Sequence, residues 1–305
     1  MKCINFDERF ADFTAKWMKE HRGEYKTYDE MEDDLPRVYT EFLNMPAKWL
    51  DGVTPGAYFT QFEDAKDLVD WMVQYCQKDI PVPDMLMEQI QAVGRPCEKR
   101  LLTLLRDGLD KRTAETGQKH TLSVAVGAGD SLLKPIDPAR LNALADQVVV
   151  MAYDLCGFDR ETGHHAALYP DDNTRQSGAR AVRTLTQGGL SADKILLGIP
   201  AYGRMWRQVS GRAVTQTAGI SGTKVLNFPD LLALESQGYT RYYDGAAKAA
   251  YWVGGENFVS GEDEQSIRDK AQWAVQQSLQ GAAVWSYGQD DSGKLLAWLK
   301  EALSQ

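Results

Sequence analysis

The chain has 305 residues, of which 43% are hydrophobic and 25% are charged, a balance that excludes intrinsic disorder as its main state. The formal net charge is −9, the wrong sign for a surface that must neutralise nucleic-acid phosphates. No apolar stretch reaches the length of a transmembrane helix, and the first residues, MKCINFDERF, lack the apolar core of a signal peptide. We therefore expect a cytoplasmic protein with neither a membrane nor a nucleic-acid partner.

The composition changes abruptly near Val93. Residues 1–93 contain 10 lysines and arginines against 19 aspartates and glutamates, whereas residues 94–305 contain 24 of each. The first 93 residues also hold 3 of the 26 glycines and 7 of the 9 methionines. This contrast predicts two domains, an acidic segment at 1–93 and a second domain at 94–303.

The acidic segment is predicted to be all-α. Apolar residues recur at helical spacing in two places, at Phe6, Phe10, Phe13 and Trp17 and again at Leu68, Trp71, Met72 and Tyr75. Asp33, Asp34 and Pro36 are typical of a helix start. Four or five short helices would form a helical-repeat-like array or a small bundle, and the segment faintly resembles bacterial HEAT-like helical-repeat proteins.

The second domain alternates between helical patterns and short apolar runs. The runs HTLSVAV, QVVVMAYD, KILLGIPAYGR and GAAVWSYGQDD are typical of buried strands, and amphipathic stretches such as DPARLNALAD separate them. This alternation predicts an α/β fold with a parallel sheet. Residues 206–260 interrupt it and predict an inserted α+β module.

Polar and aromatic residues follow these runs where each strand is expected to end. The candidates are Met151, Tyr153, Asp154, Tyr202, Arg204 and Trp285. In a parallel β/α barrel the functional side chains lie at the carboxyl ends of the strands. Aromatic rings can stack on sugar rings while an aspartate and an arginine bind hydroxyl and amide groups, so the set is typical of a sugar site. The alternative, that these aromatic residues are half-buried or core residues without a binding role, stays open at this point.

Several of these motifs together resemble one family. MAYDLCGFDRETGHHAALY, ILLGIPAYGRMW and GAAVWSYGQDDSGKLL closely resemble strands six, seven and eight of glycoside hydrolase family 18, the chitinases. GYTRYYDGAAKAAYW and FVSGEDEQSIRDKAQWA resemble the α+β module that the family carries between strands seven and eight. The resemblance covers residues 94–303 and implies a partial (β/α)8 TIM barrel of strands five to eight, preceded by the all-α segment.

The resemblance also implies a chemistry. Family members cleave β-1,4 links in N-acetylglucosamine polymers by a substrate-assisted route, in which a glutamic acid protonates the leaving oxygen while the sugar's own acetamide attacks. Tyr153 would bind that acetamide, with Asp154 and Met151 in the same pocket. The route needs no cofactor, and the implied partner is chitin or an N-acetylglucosamine oligosaccharide.

Three further residues would complete the implied subsites. Tyr202 and Arg204 would contact neighbouring sugar hydroxyls, and Trp285 would form the floor beneath the cleaved sugar.

The family's catalytic acid is missing from this sequence. The expected DxxDxDxE pattern occurs nowhere in the 305 residues, and Asp64, Asp67 and Asp70 imitate it with helical spacing and no following glutamate. Strands one to four are not recognisable either. Since general-acid catalysis contributes about 10²–10⁴-fold, we expect no hydrolysis by this chain alone.

Other catalytic chemistries have no support in the sequence. The four histidines, His21, His120, His164 and His165, form no HExxH motif, and we expect His164 and His165 to be polar loop residues. The cysteines Cys3, Cys76, Cys97 and Cys156 lie far apart and are expected to be reduced thiols. We predict no metal and no catalytic residue.

Three interpretations remain open. The chain is a family-18-type protein that depends on a partner for its acid, a non-catalytic carbohydrate-binding protein, or a helical interaction protein fused to a barrel remnant. Four strands would leave open sheet edges at 121–127 and 281–286, which lack the lysines and prolines that protect natural edges. We therefore expect a homodimer or an aggregating protein.

Overall fold

A computed structural model describes residues 3–156, 162–170, 175–207 and 223–304. The chain divides into two compact units, Met1–Gly108 and Leu109–Gln305. This division falls inside one helix, Arg95–Thr116, whereas the composition changes near Val93. Across the described ranges, no helix is both long enough and apolar enough to cross a membrane.

The first unit is helical, as its apolar spacing predicts. Its helices are α1 (Phe6–His21), α2 (Tyr28–Glu32), α3 (Leu35–Asn44), α4 (Ala65–Gln77), α5 (Asp84–Val93) and α6 (Arg95–Thr116), the last of which continues into the second unit. Side chains fix several of the starts, because Asn5 accepts a hydrogen bond from the Glu8 amide at 3.1 Å and Asp64 accepts one from the Lys66 amide at 2.6 Å.

Aromatic residues dominate the core of this unit. Phe6, Phe59 and Trp71 pack in one buried cluster, with ring centroids 5.8 Å apart for Phe6–Phe59 and 5.9 Å for Phe59–Trp71. Tyr75 is buried there too, and its hydroxyl donates to the Ile4 carbonyl at 2.9 Å. This hydrogen bond satisfies the polar end of a buried tyrosine and attaches the start of the chain to α4.

The second unit begins with parallel strands and helices, continues through antiparallel strands, and ends with a helix, a strand and a helix. Its elements are β1 (Ser123–Gly127), α7 (Asp130–Leu133), α8 (Pro138–Leu144), β2 (Gln147–Met151), α9 (Gly178–Gln187), β3 (Ile195–Pro200), β4 (Tyr202–Arg207), β5 (Thr223–Asn227), α10 (Phe228–Ala233), β6 (Thr240–Asp244), β7 (Ala249–Gly254), β8 (Asn257–Gly261), α11 (Glu264–Gln276), β9 (Gly281–Trp285) and α12 (Lys294–Leu303).

The described strands form two sheets. One is parallel, with the order β1-β2-β3-β9, and the other is antiparallel, with the order β5-β4-β8-β7-β6. The parallel sheet has β1 and β9 as its outer strands, and it does not close into a barrel. Of the insertion predicted at 206–260, residues 208–222 lie outside the described residues.

The run KILLGIPAYGR is predicted to be one buried strand, but the structure divides it into two. It forms β3 and β4, which belong to different sheets and meet at Ala201. The Ala201 amide donates to the Trp285 carbonyl at 2.7 Å, after which the chain leaves the parallel sheet. Tyr202 and Arg204 therefore lie on an antiparallel strand, and not at the end of a parallel one.

A buried ion pair holds α11 against the end of β8. Lys270 donates to a carboxylate oxygen of Glu262, and both side chains are almost fully buried. The other oxygen of Glu262 accepts a hydrogen bond from the Ser266 hydroxyl at 2.5 Å. Each charge is thus compensated inside the protein, which a buried charge requires to be tolerated.

We predict that K270M destabilises the protein by about 3–5 kcal/mol, because it leaves the Glu262 carboxylate buried and unpaired. Guanidinium unfolding followed by tryptophan fluorescence measures the change. The double variant E262Q/K270M should regain most of the loss, since it removes the unpaired charge. K300M, at an exposed lysine of α12, is the control. Equal midpoints for K270M and K300M would contradict the prediction.

Candidate functional site

The carboxyl ends of the four parallel strands lie at one edge of the sheet, with β3 and β9 ending two residues beyond β1 and β2, because Val150 pairs with Leu197. Gly127 pairs with Met151, and Pro200 pairs with Trp285, each at a strand's last residue. Loops that leave one edge of a parallel sheet meet there, so this edge is the expected place for a site. Two of the predicted residues, Met151 at the end of β2 and Trp285 at the end of β9, lie at this edge.

Gly198 on β3 allows the chain after β2 to approach closely. A Cβ at this position would lie 2.6 Å from the Val150 carbonyl oxygen and 3.0 Å from Cε1 of Tyr153. The first distance is too short for a real contact and the second is tight, so glycine lets the chain after β2 and the ring of Tyr153 lie this close.

Asp154 is the most strongly bound side chain of the site. Its backbone has a φ of 54°, a left-handed conformation that aspartate tolerates better than most residues. Arg204 binds both carboxylate oxygens, with Nε 3.0 Å from Oδ1 and Nη2 2.9 Å from Oδ2. The Tyr202 hydroxyl also donates to Oδ2, at 2.9 Å. The carboxylate is therefore oriented by two residues of β4.

His165 approaches the same carboxylate from the loop at 162–170. Its Nδ1 lies 3.5 Å from Oδ1 of Asp154, and its ring centroid lies 5.4 Å from that of Tyr202. The backbone of His165 is fixed on both sides, because its amide donates to the Ser260 hydroxyl at 3.0 Å and its carbonyl accepts from the Leu155 amide at 2.9 Å. The side chain is fully buried, and its 3.5 Å contact with Asp154 is longer than a normal hydrogen bond.

These contacts determine which groups carry charge. Burial alone would raise the pKa of the Asp154 carboxyl, but His165, Arg204 and Tyr202 outweigh it and hold that pKa well below its usual range. Burial lowers the pKa of His165 despite the opposing charge of Asp154, so the imidazole is neutral at pH 7. Asp154 is an ionised acceptor with no proton to give.

The pKa values of the two tyrosines are raised, whereas those of Asp154 and His165 are lowered. Burial, followed by the charge of Asp154, raises the pKa of Tyr153 and that of Tyr202. Both phenols stay protonated at neutral pH and can donate hydrogen bonds. Their rings meet edge to face, with centroids 6.1 Å apart. Tyr202 is buried and uses its hydroxyl on Asp154, whereas Tyr153 is partly exposed.

Trp285 lies farther along the edge. Since β3 separates β2 from β9, two strand spacings, about 10 Å, separate it sideways from β2, and it lies two residues farther along the strand direction. Its side chain is 60% exposed, which is unusual for a tryptophan and leaves it available for stacking. The peptide bond between Trp285 and Ser286 is cis. Met151 is partly exposed at the end of β2.

The structure therefore brings five of the six predicted residues together. Tyr153, Asp154, Tyr202 and Arg204 contact one another, and Met151, the last residue of β2, precedes Tyr153 by two positions. Trp285 lies on the same edge at the far outer strand.

Three residues with a place near the site were missed. His164 and His165 lie in a loop, as expected, but both are fully buried, and His164 Nε2 lies 3.2 Å from the Asp244 carboxylate. Nothing in the spacing of ETGHHAALY predicts that burial. Tyr287, 83% exposed, follows Trp285 after one residue, and its presence in VWSYGQDD was a signal available from the sequence.

The described residues offer no metal site. No group of three or more histidine, cysteine, aspartate or glutamate side chains within the described ranges is placed to hold a metal ion. The chemistry available at this edge is that of hydrogen bonding, a fixed anion and aromatic surface.

Parallel strands connected by helices, with polar and aromatic groups at the carboxyl edge, define the class of barrel-like α/β proteins. Within that class the family is specific, because the profile of glycosyl hydrolases family 18 matches residues 94–290. The chain belongs to this family.

Curated chitinases are similar to the chain in sequence. Chitinase A1 of Niallia circulans is 33% identical over 236 residues, which cover 68% of this chain and 34% of that protein. The class V chitinase of Arabidopsis thaliana is 32% identical over 206 residues, covering 63% and 54%. Chitinase 63 of Streptomyces plicatus is 32% identical over 320 residues, covering 99% and 51%. The chain spans about a third to a half of the length of these relatives.

Solved structures agree with the fold. A family-18 N-acetylglucosaminidase from Paenibacillus barengoltzii is 31% identical, with a TM-score of 0.64, and the match covers 68% of this chain and 64% of that one. A family-18 chitinase from Cycas revoluta in complex with (GlcNAc)3 is 25% identical, with a TM-score of 0.60, and the match covers 73% and 65%. These neighbours establish a TIM-barrel-like α/β fold.

We predict that the charge of Asp154 stabilises the protein above the usual pKa of an aspartate, about 3.9. The folded-state pKa is lowered, so this stability is present at pH 7 and is lost as the pH falls through the folded-state value. The stability difference between wild type and D154N should therefore be larger at pH 7 than at pH 3. Denaturant midpoints at both pH values measure it.

D193N, at an exposed aspartate between α9 and β3, is the matched control and should show no such dependence. A difference between wild type and D154N that is the same at pH 7 and pH 3 would contradict the assignment.

Proposed function

We propose that the chain is a chitinase-like carbohydrate-binding protein that recognises β-1,4-linked N-acetylglucosamine oligosaccharides and does not hydrolyse them alone. The observation that carries the proposal is the state of Asp154, an ionised carboxylate held by Arg204 and Tyr202 in a sequence without the family's acid motif. Its parallel strands correspond to strands five to eight of the family's barrel, and the antiparallel sheet corresponds to the module between strands seven and eight.

Binding is assigned to groups that can act without the missing half of the barrel. Tyr153 keeps its proton and is partly exposed, so its hydroxyl serves as the donor to an acetamide carbonyl. Trp285 presents an exposed ring on which a sugar can stack. The Cycas revoluta chitinase in complex with (GlcNAc)3 supports this class of ligand.

Tyr202 and Arg204 act through Asp154. Tyr202 is buried with its hydroxyl on Oδ2, and Arg204 uses two nitrogens on the same carboxylate, so both residues orient the anion. Burial, and then the charge of Asp154, raises the pKa of Tyr153, and the ring of Tyr202 meets that of Tyr153 edge to face. Tyr202 thus contacts both the oriented anion and the group that we assign to sugar recognition.

Hydrolysis needs a proton donor beside the leaving oxygen, and Asp154 does not supply one at the pH of an ordinary assay. Without such a donor an alkoxide must leave unprotonated, which forfeits about 10²–10⁴-fold in rate. The resemblance places the family's acid on a strand that precedes residue 94. A second chain that carried this strand would be needed for turnover.

The test combines binding and hydrolysis on the same purified protein. We expect weak, saturable binding of (GlcNAc)3 by calorimetry, no binding of cellotriose, which lacks the acetamides, and no release of product above a buffer control. W285A should abolish binding because it removes the stacking surface. Y28A, at an exposed tyrosine of the first unit, is the control and should bind like wild type.

Equal binding by wild type and W285A would show that the sugar binds elsewhere on the protein. An absence of binding by both would favour the interpretation as a helical interaction protein. Turnover that survives repurification and disappears in D154N would show that Asp154 serves as the missing acid.

We also propose that two chains associate through the outer strands of the parallel sheet. β1 and β9 contain neither lysine nor proline, and within the described residues each pairs with one neighbour. Pairing across these edges in a closed two-fold arrangement would supply the missing backbone hydrogen bonds.

Light scattering at micromolar concentration should therefore give twice the mass of the chain, or aggregates. V284K places a charge within the outer strand β9 and should shift the population toward monomer. V275K, at an exposed valine of α11, is the control. A stable monomer of the unsubstituted chain would overturn the proposal.

A further inference from the structure

The first unit contains a cleft between α1 and the turn that follows α3. It has a volume of about 390 Å³, within the range of small-molecule sites. Its lining comes from one face of α1, from residues 42–49 and from Pro55. The cleft lies wholly within residues 9–55, so it is independent of the sugar site.

Aromatic rings form the apolar part of the cleft. Phe13 and Phe42 lie with centroids 5.6 Å apart, and Phe42 stacks on Trp49 at 6.5 Å. Phe42 is buried, whereas Phe13 and Trp49 are partly exposed toward the cleft that they line. The flat ring system of a ligand can pack against these aromatic side chains.

Basic residues are concentrated at the cleft, although the segment around it is acidic. Arg9, Lys16 and Lys48 line it, beside a single acid, Asp12. The segment 1–93 as a whole has 10 basic residues and 19 acidic residues. Three of the ten bases but one of the nineteen acids therefore face this cleft.

Two of these cations are not neutralised. Lys16 lies 3.7 Å from Glu20, but within the described residues neither Arg9 nor Lys48 has a carboxylate within 4.0 Å. Arg9 lies instead over the ring of Trp49, with Cζ 5.5 Å from the ring centroid. The surrounding segment is acidic and repels anions, so the uncompensated cations make this cleft a place on it where an anion is attracted.

We propose that this cleft binds a small aromatic carboxylate, with its ring against Phe13, Phe42 and Trp49 and its anionic group between Arg9 and Lys48. The cleft's volume suits one or two fused rings. Its charge selects an anion over a neutral analogue, and its aromatic lining selects a ring over an aliphatic acid.

The test uses indole-3-acetate as the probe and the neutral indole-3-acetamide as its matched comparison, measured by calorimetry on the full chain. We expect the carboxylate to bind at least about tenfold more tightly than the amide. R9Q and K48Q should each lower the affinity for indole-3-acetate several-fold and leave the affinity for indole-3-acetamide unchanged. Both positions are exposed, so the variants retain the fold.

K19Q, an exposed lysine on the same helix outside the cleft, should bind like wild type. Competition with excess (GlcNAc)3 should have no effect, which separates this cleft from the sugar site. Equal affinity for the two probes, an equal effect of K19Q and K48Q, or no saturable binding of indole-3-acetate at millimolar concentration would overturn the proposal.

Discussion

The carboxylate of Asp154 connects the two sheets of the second unit. It follows β2 of the parallel sheet, but its hydrogen-bond donors, Tyr202 and Arg204, lie on β4 of the antiparallel sheet. A partly buried charge is costly unless it is paired, so the first residues of β4 must lie where their side chains reach it. The loop that carries His165 is fixed around the same group through Ser260 and Leu155.

This one charge also decides what the site can do. With Arg204 on both oxygens, the anion is neutralised and cannot serve as a proton donor. Together with burial, which is the larger cause, its charge raises the pKa of Tyr153 above an already high ordinary value. Under the proposed function, the residues that remain from the family's site are those assigned to binding and orienting the sugar, and the sequence lacks the family's acid motif.

Much of the architecture follows from the sequence, because apolar spacing reports directly on burial. Phe6 and Trp17, two of the residues at helical spacing on α1, are buried, and the run QVVVM forms β2 with Val148 and Val150 buried. The division of KILLGIPAYGR into two strands was missed. Periodicity carries no information on which sheet a strand joins, and the change at Ala201 depends on a hydrogen bond to the distant Trp285.

The site was predictable to the extent that it lies at strand ends. Tyr153, Asp154, Tyr202, Arg204 and Trp285 are recognisable by their place after apolar runs, and the family resemblance added the roles that they would have. His165 was not predictable, because its burial arises from contacts with Ser260 and Asp154, which are far from it in sequence. The sequence also could not show that Tyr202 faces Asp154, since that depends on how the two sheets meet.

Charge compensation separates the two binding places that we propose. At the strand edge Arg204 cancels Asp154, so a ligand meets hydrogen-bond donors and aromatic surface with little net charge, which suits a neutral sugar. In the helical cleft Arg9 and Lys48 are uncompensated within an acidic segment, which suits an anion. Since a neutral sugar gains nothing from unpaired cations, and an anion finds no uncompensated cation at the strand edge, each place favours its own ligand over that of the other.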